Sequence, residues 1–195
     1  MRYWLTALVL LIATVAYADL PIHEVDVTWS RGAPKLSFSA MDLADERVRR
    51  ELSTGLRKRL VVTVDSRLKG SGWRMAMRQF GCAVTLDLWD DDYLVRIGHR
   101  TERLKTLDDV LNRCLDVQGL FAGEPKSYEP QKGREIYFVI KAEFNPISQK
   151  QCSELIRPTS GGDTIAPITA NIVRRQICRA ERSVEFRSQF VRVPQ

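Results

Sequence analysis

The alternation Phe80, Cys82, Val84, Leu86, Leu88 constrains this chain more than any other feature, because a two-residue period over so long a run fits a strand and no helix. It puts all five residues on one inward face and makes Cys82 an interior residue. The run then meets Asp90-Asp91-Asp92, a turn signal, after which Tyr93, Val95 and Ile97 alternate in the same way. A hairpin with one apolar face is the expectation.

The period recurs elsewhere. His23, Val25, Val27 and Trp29 alternate, Arg31-Gly32-Ala33-Pro34 turns the chain, and Leu36, Phe38 and Ala40 alternate again. Leu60, Val62, Val64 and Leu68 predict a further strand broken by Gly70-Ser71-Gly72. The fourth strand should run from about Arg78 to Trp89, the sixth from Ile136 to Phe144, and a last one from Val184 to Val193. Helical spacing intervenes at Asp45 to Leu52, with Gly55 as its stop, and again from Leu107, where Thr106 caps and Gly119 and Gly123 terminate. Two more helices are expected at 148–157 and 165–179, and Glu124 to Gly133 is expected as a surface loop. The sum is an α+β fold: a mainly antiparallel sheet of about six or seven strands with three or four short helices packed on it.

Upstream of these elements, Met1-Arg2, an apolar run from Tyr3 to Val15 and the small-residue pattern Ala16-Tyr17-Ala18 predict a secretory signal peptide over residues 1–18. The run is shorter than the roughly 20 residues of a spanning helix. One exported domain, residues 19–195, is expected to follow, with no integral span after cleavage and a location in the periplasm or outside the cell. A 44% apolar composition excludes a wholly disordered chain, and four cysteines in 195 residues exclude a disulfide-dense miniprotein.

Export changes the meaning of those cysteines, since an oxidising compartment lets disulfides persist. Cys82 lies on the inward strand face, and Cys114 joins Leu107, Val110 and Leu111 on an apolar helical stripe. The simplest pairing is Cys82 with Cys114 and Cys152 with Cys178, although three connectivities and four free thiols stay open. No Cys-x-x-Cys pair occurs, which argues against a thioredoxin-like site and a zinc ribbon.

Chemistry-bearing motifs are sparse. There is no Gly-x-Ser-x-Gly elbow, zincin spacing or P-loop, and His23 and His99 lie at strand ends with hydrogen-bonding roles expected. Asp87, Asp90, Asp91 and Asp92 lack the glycine and distal glutamate of a calcium loop and read as a solvated hairpin tip. Arg47, Arg49, Arg50, Arg57, Lys58 and Arg59 form a basic patch whose expected role is a solvated face. It lacks interleaved aromatics, so no nucleic-acid partner is expected, and its reach extends at most to weak contact with an anionic surface. No metal or other cofactor is implied.

Leu52-Ser53-Thr54-Gly55-Leu56, the strand Leu60 to Val64, and the run from Cys82 through Asp87-Leu88-Trp89 to the Tyr93 strand carry a resemblance. With the cysteine-bearing helix Leu107 to Cys114, they resemble uncharacterised exported deltaproteobacterial proteins similar to the domain of unknown function family 4390. The match covers about Val25 to Leu120 and departs in having Asp92 where Glu is commoner. It implies an exported β-rich domain, favours the Cys82–Cys114 pairing and carries over no catalytic residue.

Trp89, Asp90, Asp91 and Asp92 are the candidate binding residues. Trp89 has two readings, a clamp over the turn or an exposed aromatic anchor, and the clamp is the expected one. The functional expectation is a noncatalytic binding or accessory module that contacts another component of the cell envelope. The alternatives are a secreted hydrolase drawing on Asp87 or Glu102 with His99, and, from the family's setting, a periplasmic partner of a membrane sensor kinase.

Overall fold

The computed structural model describes residues 20–147, 152 and 180–195. The expected signal peptide and the expected helices at 148–157 and 165–179 lie outside the described residues, apart from Cys152. Among the described residues no helix is long and apolar enough to cross a membrane.

The chain folds as α+β around two antiparallel sheets. Strands β1 (Asp26–Ser30), β2 (Ala33–Ser39) and β7 (Asp116–Phe121) make the smaller sheet. The larger one has β3 (Lys58–Leu68) at its centre, flanked by β4 (Arg74–Asp87) and β8 (Glu135–Phe144). Beyond β4 come β5 (Asp92–Ile97) and the edge strand β6 (Arg100–Leu104). The far edge of β8 is shared by β9 (Arg182–Arg187) and β10 (Val191–Arg192). Helices α1 (Glu46–Leu52) and α2 (Leu107–Leu115) close the fold.

Alternation decides which side is inside. Leu60, Val62 and Val64 of β3, Cys82 and Val84 of β4, Val95 of β5 and Phe138, Ile140 and Ala142 of β8 are buried together on one face. Leu36 and Phe38 of β2 and Val110, Leu111, Cys114 and Leu115 of α2 belong to the same core. The apolar stripe of α2 therefore faces the sheet, and the disulfide between Cys82 and Cys114, with Cα atoms 5.9 Å apart, ties the helix to β4. Cys152 is also disulfide-bonded, and the expected pairing with Cys178 lies outside the described residues.

Both helices start where their caps stand. The Asp45 carboxylate accepts a hydrogen bond from the Val48 amide at 2.9 Å, and the Thr106 hydroxyl accepts one from the Asp109 amide at 3.1 Å. Asp108 and Asp109 sit in the first turn of α2, where the helix dipole favours them. Arg31 and Gly32, at φ +53° and +78°, form the two-residue turn between β1 and β2, the left-handed pair that matches strand twist in a hairpin.

Three expectations need correction. The Leu107 helix stops at Leu115, not at Gly119, because Gln118 and Gly119 offer no apolar side chain to continue the stripe; the chain leaves as β7 and pairs with β2. The edge strand β6 has no counterpart in the sequence reading; its sequence is almost wholly polar because an edge strand with little buried area is held by its backbone ladder to β5. The final strand is two strands. Between them Ser188 is fully buried, its hydroxyl accepting from the Phe138 amide at 2.9 Å, while the Gln189 side chain clasps both backbone groups of Val25. Finally, Leu88 was expected on the inward face with Cys82, but β4 ends at Asp87 and Leu88 is exposed.

Candidate functional site

The predicted site residues come together at the tip of the β4–β5 hairpin. Asp87 pairs with Asp92 as the last rung of the ladder, leaving Leu88 to Asp91 to make the turn. The Asp87 carboxylate accepts a hydrogen bond from the Trp89 amide at 3.1 Å, an Asx-type contact that opens the turn. Asp91 follows at φ +54°, a left-handed conformation that Asp tolerates better than most residues.

This geometry turns Trp89 outward. Its side chain is not the expected clamp: Trp89 is 97% exposed and Leu88 is 70% exposed, and Leu56, next in sequence to Gly55, is 65% exposed. A Cβ built on Gly55 would stand 3.0 Å from Leu88 Cδ1, so the loop after α1 lies directly against the tip. The result is an exposed apolar pair, Leu88 and Trp89, carried by a hairpin whose 14-residue strand β4 is anchored in the core.

The acidic residues serve different ends. Asp90 accepts a hydrogen bond from the Arg103 guanidinium at 2.9 Å, and that bond raises the arginine's pKa above its usual value. Asp92 is buried and receives Lys105 at 2.6 Å, with Arg103 a further 3.8 Å contact. These pairs join the turn to β6 and the loop after it, fixing the tip's position. Among the described residues no group of His, Cys, Asp and Glu is arranged to hold a metal ion.

The residues named for a hydrolase have the following partners. Glu102 is gripped by both Nε and Nη2 of Arg113 at 3.0 Å each, and that hydrogen-bonded fork holds its carboxyl below the usual carboxylate range. Asp87 is occupied by the Trp89 amide, and no hydrogen bond joins His99 to either acid. His23 stacks on Phe186 with ring centroids 4.3 Å apart and lies 3.7 Å from Asp42, while its backbone amide donates to Arg187 O. That is an end-of-strand role.

The basic patch divides. Lys58 is buried, donates to Glu51 at 2.7 Å and lies over the Phe144 ring; this hydrogen bond lowers the Glu51 pKa. Arg49 donates to Asp108 at 2.7 Å. Arg57 and Arg59 remain without an ion pair among the described residues. Sequence reasoning missed the exposure of Leu88. The signal was present in the position of Leu88, one residue past the last acid that can close the β4–β5 ladder.

A concavity of about 560 Å³ is lined by Trp29, Tyr128, Lys126 and Lys132, among others. Tyr128 packs edge-on against Trp29 with centroids 5.7 Å apart and commits its hydroxyl to Ser66 at 2.7 Å, so it anchors the wall. No protein-family model matches this chain, and no curated protein or solved structure matches it either.

Proposed function

We propose that this protein is an exported, noncatalytic binding module of the cell envelope, akin to the domain of unknown function family 4390, whose β4–β5 tip docks into a protein partner. The observation that carries this reading is the nearly complete exposure of Trp89 on a tip locked by ion pairs. A large aromatic costs hydrophobic free energy when it faces water, and tryptophan with aliphatic neighbours is the usual anchor of a protein contact. A rigid presenter reduces the entropy lost on docking.

Charge selects the partner. Asp87, Asp90, Asp91 and Asp92 outnumber Arg103 and Lys105 around the indole, so an anionic lipid surface would repel this end of the molecule. The partner surface is an apolar pocket rimmed by basic side chains. The Cys82–Cys114 disulfide supports export, because such bonds persist in oxidising compartments.

Mild extraction of the native envelope tests the reading. The wild-type protein is expected to elute in a complex larger than itself, with its N-terminus at Asp19, and L88S/W89A is expected to elute as the free protein with unchanged thermal stability. A double variant that stays in the complex would overturn the docking site; turnover of generic ester, peptide or glycan substrates by the purified protein would overturn the noncatalytic reading.

A further inference from the structure

The outer face of the larger sheet, turned away from the core, carries a second feature. Register aligns Arg59 with Ala83 and Ala83 with Arg96, so two arginines flank an alanine in one row across β3, β4 and β5. One row along, β4 contributes Gly81, which has no side chain, and two residues before Arg59, just ahead of β3, stands Arg57. These small residues leave a groove of about 910 Å³, lined by Arg57, Arg59, Gly81, Ala83, Arg96 and Gly98.

We propose that this groove is a binding site for phosphate groups. The two flanking strands stand two ladder spacings apart, roughly 10 Å, a gap that two arginine side chains can close over a tetrahedral anion seated on Ala83. None of the three guanidinium groups has an ion pair or hydrogen bond among the described residues. Several acids of this sheet already have partners: Asp90 and Asp92 pair with Arg103 and Lys105, Glu143 with Lys141 at 2.6 Å, and Asp65 with Arg67 and Arg74, while Glu181 at the rim accepts a hydrogen bond from the groove-lining Asn145. Clustered like charges on a rigid sheet repel one another, and a bound anion relieves that repulsion while using donors that now face only water. Arginine's planar fork suits phosphate oxygens better than a lysine would, and this groove holds arginine alone as its cation.

The phosphate group can belong to a soluble ligand or to a lipid head. Calorimetric titration of the full protein with pyrophosphate tests the first source; co-sedimentation with vesicles of equal parts phosphatidylglycerol and phosphatidylcholine tests the second. Binding in either arm is expected to weaken at least about tenfold in R59Q/R96Q, since each charge-assisted contact is worth about that factor. R47Q/R50Q, which removes the same charge from α1, is expected to weaken it far less. Should R59Q/R96Q fold poorly, amide resonances of the unaltered protein decide the matter: those of Gly81, Ala83 and Gly98 are expected to shift on adding the binding phosphate. Binding in neither arm, equal loss in R47Q/R50Q, or shifts confined to other regions would overturn the proposal.

Discussion

At the scale of single residues, Tyr128 shows how a polar atom is accommodated in an apolar wall. Its hydroxyl and that of Ser66 are both buried and satisfy each other at 2.7 Å, and burial pushes the phenol up to about 12. Gly123 makes the arrangement possible, because a Cβ there would stand 2.6 Å from Ala76 Cβ and 3.0 Å from the Tyr128 hydroxyl. Tyr128→Phe leaves the Ser66 hydroxyl without its partner and is expected to cost about 1–3 kcal/mol in denaturant unfolding. The sign of the pH effect follows from the raised value. The folded protein keeps the proton that the unfolded chain loses from about pH 10 upward. Tyr128's contribution is therefore complete below about pH 10 and declines as pH rises through about 12. Unfolding measured across that window should show a loss in the wild-type protein that Y128F lacks.

At the scale of elements, α2 is held at both ends by different devices. Its first turn depends on the Thr106 cap, and its last on the bond from Cys114 to Cys82. Thr106→Ala is expected to lower stability by about 1 kcal/mol, read as a shift in denaturation midpoint without a change in slope. C82A/C114A should cost about 2–4 kcal/mol, and reducing agent should then have less further effect than on the unaltered protein. Elements with a buried face were legible in the sequence: β3, β5, β8 and both helix starts follow from alternation, stripes and caps. β6 was illegible because Leu104 is the one apolar residue on Arg100–Leu104 and a single inward side chain shows no period, and β7 because Gly119 masks a strand that begins where a helical stripe simply ends. The Ser188 break was hidden in side-chain hydrogen bonds, which leave no period to read. At the candidate site, the residues of the tip were legible and their exposure was not. Whether Leu88 and Trp89 turn inward depends on the ladder closing at Asp87 and Asp92, a matter of register and not of residue type.

In the molecule as a whole, the proposed docking tip and the arginine groove belong to one sheet. Its inner face is a core shared with α2 and the smaller sheet, its outer face bears the arginine groove, and its hairpin presents Trp89 beyond both. The tip adds nothing to the core, so L88S/W89A should unfold within about 0.5 kcal/mol of the unaltered protein. That separation between stability and contact makes the docking claim open to a direct measurement: a photo-crosslinking amino acid placed at position 89, with position 131 on the Glu129–Gln131 turn as the comparison, activated in the living cell. A discrete adduct of one mass from position 89, and none from position 131, is the predicted result. No adduct from position 89, or the same adducts from both positions, would contradict it.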